Sequence, residues 1–195
     1  MEIDNRLTSF FAAIAQYAVL SADAEKAFAE QLHFRKLKKR EIYLAQGDVP
    51  QKIAYISHGL LSYYSIQENG DVVIKRFFAD NSFVASTAAL ITKKPGAFAI
   101  EALEDTLLVE FQFDQFKQLM HHHTELAFFW ISYLEINWVA GKEEQEITLK
   151  YLTAKERYLD FMAKNPGLIK RLRQHHIAAY LGVTPTQLSR IRKEI

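Results

Sequence analysis

The chain has 195 residues, 49% hydrophobic and 24% charged, the composition of an ordinary globular protein with room for one large domain or a medium and a small one. Cysteine is absent, which excludes disulfides, thiolate metal sites and iron–sulfur ligation. The net charge of +1 hides an asymmetry: residues 150–195 carry ten Lys/Arg against three Asp/Glu, whereas residues 1–149 carry 14 against 20. A basic end on an acidic body suggests a polyanionic partner, with a solvated helical surface as the plainer alternative.

The opening "MEIDNRLTSFFAAIAQYAVL" places acids before its apolar stretch and lacks a basic n-region, so it reads as an amphipathic helix and not a secretion signal. Helical spacing continues through residues 4–32, with Ser21 and Asp23 offering a second helix start. No apolar run approaches the ~18 residues of a membrane span, so a cytoplasmic protein without a membrane partner is expected.

From about residue 33 the pattern changes to short β-branched or aromatic segments such as "KIAYISH", "LLSYYSIQE", "DVVIKRFF" and "TLLVEF". Gly47-Asp48, His58-Gly59, Asn69-Gly70, Asp80-Asn81 and Glu104-Asp105 separate them as turns. Seven or eight strands at this spacing, with no long helix before residue 113, predict an antiparallel sandwich or jelly roll. Asn69-Gly70 is its strongest hairpin signal.

After "FQFDQFKQLMHHH" helical spacing returns, with Thr124 as N-cap and Glu125 in the first turn. The three consecutive histidines cannot converge on one metal, so a loop and no metal site are expected there. "ELAFFWISYLEINWVAGKEEQEITLKYL" then runs without proline. Leu126, Trp130, Tyr133 and Asn137 make one apolar stripe; Ala127, Ile131, Leu134 and Trp138 make another. A helix apolar on two faces must be covered on two sides. One face is expected on the sandwich and the other on a partner chain, through Trp130, Tyr133, Leu134, Asn137 and Trp138; a fully internal helix is the alternative. "TAKERYLDFMAKNP" is a further short helix, stopped by Asn165-Pro166-Gly167.

The last segment, "RQHHIAAYLGVTPTQLSRIRKEI", has helix-turn-helix spacing. Ile177, Ala178 and Leu181 share one face, Gly182 can turn the chain, and Val183 fills the corner. Thr184 caps a second helix whose first turn takes Pro185. Leu188 and Ile191 pack back, which leaves Thr184, Thr186, Gln187, Ser189, Arg190, Arg192 and Lys193 for solvent or DNA. Hydroxyls and an amide at a helix start suit phosphate and base-edge bonds, and Arg190 suits guanine. His175 and His176 are expected to be solvated.

In this order, with "AQGDVPQKIAYISHGLLSYY", "FAIEALEDTLLVEF" and "IAAYLGVTPTQLSRIRK", nearly the whole chain resembles the cAMP receptor protein/Fnr family of bacterial transcription regulators. The lead-in "TAKERYLDFMAKNPGLIKRL" is similar to a compact branch found in Bacteroidetes-type genomes. The resemblance implies an α+β fold. N-terminal helices and an antiparallel β-roll, a double-stranded β-helix of the cyclic-nucleotide-binding type, occupy 1–123. A dimerisation helix spans 124–150 and a helix-turn-helix 151–195. It implies a homodimer, a pseudo-palindromic double-stranded DNA operator and RNA polymerase as partners. By the same resemblance Thr184 and Ser189 lie at phosphates or near bases, and Thr186 and Arg190 read bases. Better-studied members carry Glu where Thr186 stands, so an operator sequence does not transfer. No wing is expected after the helix-turn-helix, and dimerisation is expected to matter more.

A cyclic phosphate buried in a roll needs a cation and free N–H groups. Cyclic-nucleotide-binding relatives use a Glu and an Arg, but in "FVASTAALITKKPGAFAIEALED" Ser86 stands at the Glu position and Gly96-Ala97 at the Arg. Ser86 and Thr87 can still cap a short helix, and Lys93 and Lys94 are the nearby cations; these four mark a candidate niche for an unidentified small-molecule effector. Without the Arg a buried phosphate is uncompensated. The expectation is a homodimeric, sequence-specific DNA-binding regulator that binds no cAMP in the usual way and holds no cofactor. The alternative is a ligand- or protein-binding roll whose terminal hairpin docks a protein. No catalytic residues are expected: Glu104-Asp105 stands at a turn without a nucleophile motif or phosphate loop.

Overall fold

The computed structural model describes residues 2–195, apart from the side chains of residues 2–4, 144, 145 and 149. Two helices come first, α1 (Glu2–Ile14) and α2 (Ala22–Ala29). Ser21 starts the second as its spacing suggested, its hydroxyl accepting the Ala24 N–H at 3.2 Å.

Eight strands follow: β1 (His33–Leu37), β2 (Ile42–Leu44), β3 (Lys52–His58), β4 (Leu60–Ile66), β5 (Val72–Ala79), β6 (Ser82–Val84), β7 (Ala99–Ala102) and β8 (Thr106–Gln112). A short helix, α3 (Thr87–Thr92), sits between β6 and β7. The strands form two four-stranded antiparallel sheets, ordered β1-β8-β3-β6 and β2-β7-β4-β5. The chain passes from one sheet to the other as it winds, which makes a roll. Gly59 sits at the β3–β4 turn with φ +127, and a Cβ there would overlap Thr106.

The central strands β3, β4 and β8 are buried on both faces, so alternation there sorts apolar residues between cores and not between core and water. On β3, Ala54 and Ile56 point into the roll while Ile53 and Tyr55 face outward. The outward group meets α1 and α2, where Phe10 packs edge-on to Phe28, Tyr55, Phe83 and Phe111. Each such fully buried ring contributes roughly 1.5–3 kcal/mol.

On the other sheet, a bulge follows Tyr63: Tyr63 pairs with Arg76, but Tyr64 pairs with Ile74. The extra residue lets Ile74 and Phe77, which strict alternation would send to opposite faces, share one outer core. That core belongs jointly to the roll and the C-terminal helices. It joins Leu60, Ile74 and Phe77 to Tyr158, Phe161, Leu172, Ile177, Leu181 and Leu188.

The helices after the roll are α4 (Phe113–His122), α5 (Thr124–Leu134), a π-helical segment (Glu135–Ala140), α6 (Gly141–Tyr151), α7 (Ala154–Lys164), α8 (Pro166–Arg171), α9 (Gln174–Leu181) and α10 (Pro185–Lys193). Three expectations need correction. The stretch read as a loop with three histidines is α4, with His121 and His122 in its last turn, because Phe113 and Phe116 supply a buried helical face. Thr124 is the first residue of α5 and not its cap: His123 holds that position, and the Ser21 hydroxyl donates to Glu125 at 2.6 Å. Pro166 does not merely stop a helix; it opens α8, where a missing N–H costs nothing.

Candidate nucleic-acid interface and roll niche

The terminal helical pair is built as its spacing predicts. Gly182 closes α9 in the left-handed region at φ +68, and the Val183 N–H bonds back to the Ala178 carbonyl at 3.0 Å. Ile177, Ala178, Leu181 and Leu188 are 0–2% exposed. Thr184 and Gln187 form a reciprocal capping box, the Thr184 hydroxyl accepting the Gln187 N–H and the Gln187 Oε1 accepting the Thr184 N–H. Both side chains stay exposed, but their first role is to start α10.

Thr186, Arg190 and Lys193 are exposed on α10, with Ser189 half-buried. Arg192 differs from its neighbours: its Nε donates to the Tyr158 hydroxyl at 2.9 Å and its guanidinium lies 5.5 Å from that ring's centroid. It therefore braces α10 against α7. Two further arginines that sequence reading passed over also position the pair. Arg157 donates to the Leu181 carbonyl at 2.9 Å, satisfying the end of α9. Arg171 clasps the helices to the roll, reaching Asp80 at 2.5 Å and Glu104 at 2.7 Å. Asp80 also accepts the Gly59 N–H at 2.6 Å. Burial works to raise the Asp80 pKa, yet the Gly59 N–H and the Arg171 guanidinium hold it below the usual range. Only their like charge and long reach hinted at such roles, and neither forms a motif.

Of the residues expected to frame the roll niche, Ser86 and Thr87 are buried. Ser86 stands at the start of α3 but does not cap it; its hydroxyl shares a 2.8 Å hydrogen bond with the Tyr63 hydroxyl. Both residues are buried, at 2% and 4% exposure, and the Tyr63 ring lies 4.7 Å from Phe98. Gly96 backs onto this pair, since a Cβ there would lie 3.2 Å from the Ser86 hydroxyl. Thr87 is buried as well. Lys93 ends α3 with its ammonium 2.8 Å from Asp114, and Lys94 is exposed beside it. The four residues expected to frame one niche are thus split between interior and surface.

The long helix turns its faces opposite to expectation. Tyr133 is buried in its own chain's core, and Trp130, Leu134 and Trp138 pack against that core. Asn137 donates to the Tyr17 hydroxyl at 3.0 Å. The outward face instead shows Phe128, Ile131, Ile136, Val139, Ile147 and Tyr151, 49–77% exposed. Within this stretch Glu135–Ala140 is π-helical, which shifts the register of the residues that follow. Apolar periodicity alone cannot say which of two apolar faces meets the chain's own roll.

Taken together these parts define a class: a cyclic-nucleotide-binding-type roll, covered by helices on one sheet and carrying a helical pair on the other. Comparison with known proteins agrees. The cyclic nucleotide-binding domain model matches residues 34–123. The regulatory protein HlyX of Actinobacillus pleuropneumoniae is 26% identical over 168 residues, covering 80% of this chain and 69% of HlyX. Among solved structures, FixK2 from Bradyrhizobium japonicum superposes with a TM-score of 0.69 at 18% identity, over 84% of this chain and 83% of that one. The c-di-GMP-responsive global regulator CLP of Xanthomonas campestris gives 0.67 at 16% identity, over 89% and 91%. The chain is thus similar to these regulators over most of its length, and its residues 34–123 match the cyclic nucleotide-binding domain. Among the described residues, no helix is long and apolar enough to cross a membrane.

Proposed function

We propose that the protein is a homodimeric, sequence-specific DNA-binding regulator that acts in the cytoplasm. The observation that carries this reading is the terminal pair: α9 and α10 share a sealed apolar core, while Thr186, Arg190 and Lys193 stand free on the outer face of α10. In this reading α10 enters the major groove, Thr186 and Arg190 reach base edges, and Lys193 meets a phosphate. Thr184, Gln187 and Ser189 contribute hydroxyl and amide contacts at the start of the helix.

Dimerisation is assigned to the outward stripe of the long helix, centred on Phe128, Ile131 and Val139. An apolar stripe of that length is costly in water and suits a second copy of the same helix. Two reading helices related by a two-fold axis call for a pseudo-palindromic operator with half-sites about one helical turn apart. In this account the roll takes no cyclic nucleotide in the family's usual manner. The Ser86–Tyr63 bond and the Phe98 ring fill the space, and no Arg stands at Gly96 to neutralise a phosphate.

Gel-shift titration across salt tests the reading. Affinity for a bound duplex is expected to fall linearly in log salt, as released counterions require. Arg190→Ala is expected to lose about 1–3 kcal/mol of discrimination between operator and a base-substituted operator. Unchanged discrimination would remove Arg190 as a base reader; salt-independent binding would favour a hairpin that docks protein.

A further inference from the structure

The long helix carries its π-helical segment, Glu135–Ala140, near the middle of the outward apolar stripe. An α-helix advances ~100° per residue, and the wider π turn, which closes one residue later, advances roughly 80°. The π segment therefore sets back everything that follows it by roughly 100°, about the width of one residue. On an uninterrupted α-helix, Ile147 and Tyr151 would point roughly 150° away from Phe128 and Ile131. With the π turn the two pairs come within roughly 40° of each other, so the exposed apolar residues share one side over ~35 Å. The opposite side agrees. Burial, then the charge of Lys142 on α6, lower the pKa of Lys75 on β5, so Lys142 faces the roll.

One residue grips this turn. The Asn137 side-chain amide donates to the Tyr17 hydroxyl at 3.0 Å and to the Tyr133 carbonyl at 3.1 Å. In an uninterrupted α-helix that carbonyl would accept the Asn137 backbone N–H. The Asn137 carbonyl in turn accepts from the Arg76 guanidinium of β5 at 3.5 Å. Tyr17, just beyond α1, is fixed by edge contacts to the Phe129 and Tyr133 rings, at 5.9 and 5.6 Å. The N-terminal helices and the roll thus hold the long helix at the same point. A side chain inserted into the helical ladder, with a carbonyl drawn outward beside it, is a physical cause of such an opening.

We infer that Asn137 sets the register of the dimer: by holding the π turn, it brings Ile147 and Tyr151 onto the face that meets the second copy. This rests on the dimer proposed above and adds the residue that aligns it. Asn137 faces its own chain and acts on the partner only through the helix, as a positioning residue. Without the turn, Glu146 takes the place of Ile147, and a charged side chain replaces an apolar one at the contact.

The chain has no cysteine, so single introduced cysteines report which positions meet across a two-fold axis. Under mild oxidation of the full chain, Phe128→Cys and Ile147→Cys are each expected to form disulfide-linked dimers at least about tenfold faster than Glu146→Cys. With Asn137→Leu added, the faster of the two lower positions is expected to change from Ile147→Cys to Glu146→Cys, while Phe128→Cys keeps its rate. Deleting Ala140, an exposed residue of the π segment, removes the extra residue. In the Asn137→Leu background this deletion is expected to return the faster linkage to Ile147→Cys. A helix only weakened by Asn137→Leu would lose both lower linkages and exchange neither. Linkage through Ile147→Cys that persists in Asn137→Leu, or loss of both without exchange, overturns the register role while Phe128→Cys still upholds the dimer. A chain in which neither Phe128→Cys nor Ile147→Cys links at all overturns the dimer face, and the register role with it.

Discussion

The interior of the roll and the face of the terminal pair are both marked by polar residues, and they resolve in opposite ways. Inside the roll, Ser86 finds Tyr63, and the two hydroxyls satisfy each other. On the terminal pair, Thr184 and Gln187 satisfy the helix start, yet Thr186, Arg190 and Lys193 are left to solvent. A buried polar group must be paired within the fold or by a ligand, whereas an exposed one can wait for a partner. In the proposed account the chain keeps an outward-facing surface for DNA, while two polar side chains inside the roll satisfy one another.

That contrast can be broken first at the shared outer core. Leu188→Ala removes a fully buried side chain between roll and helices, and is expected to cost about 2–5 kcal/mol in urea denaturation. Because Leu60 and Phe77 share that core, roll and helices are expected to unfold in one transition. Two separate transitions in the wild type would show that the reading unit is energetically independent.

Next is the clasp. Arg171→Met leaves Asp80 and Glu104 facing each other without their cation, and about 1–3 kcal/mol of stability is expected to go. At the long helix, Val139→Glu places a charge in the outward stripe and is expected to shift sedimentation from dimer to monomer, whereas Trp138→Phe, on the inward side, is expected to leave the assembly unchanged. Dimers that tolerate Val139→Glu would move the interface to another surface. The smallest of these effects is inside the roll: Tyr63→Phe deletes one hydrogen bond and is expected to cost about 0.5–1.5 kcal/mol without opening cAMP binding in calorimetry.

Acid sharpens the same comparison. The folded pKa of His176 is depressed to about 4 from 6.5, so the unfolded chain binds a proton first as pH falls. Its contribution to stability is full above about pH 6.5 and declines toward pH 4. The Asp80 carboxyl is depressed from 3.8, so the clasp holds at neutral pH and is lost as pH falls below that value. Melting temperature against pH is expected to lose its upper limb in His176→Gln and its lower limb in Asp80→Asn.

Much of this was legible in the chain. Turn pairs such as Asn69-Gly70 delimited the strands, and the spacing from Ile177 to Ile191 set out the terminal pair, because local geometry decides both. What escaped reading depended on contacts distant in sequence. The inward face of the long helix is chosen by α1 and the roll, so Tyr133 and Val139 look equivalent until the partners are in place. The Arg171 clasp joins residues 67 and 91 positions apart. Pro166 reads as a stop because its place at a helix start depends on where α7 ends. Arg192 reads as a DNA contact because Tyr158, which holds it, sits on another helix.

The central claim is that the outward face of α10 reads DNA without a cyclic nucleotide in the roll. Selection of bound duplexes from a random pool, run in parallel with and without cAMP, tests it most directly. Enrichment of one inverted repeat in both arms, lost with Arg190→Ala, is the predicted result. No enriched sequence in either arm, or enrichment only with cAMP, would contradict it.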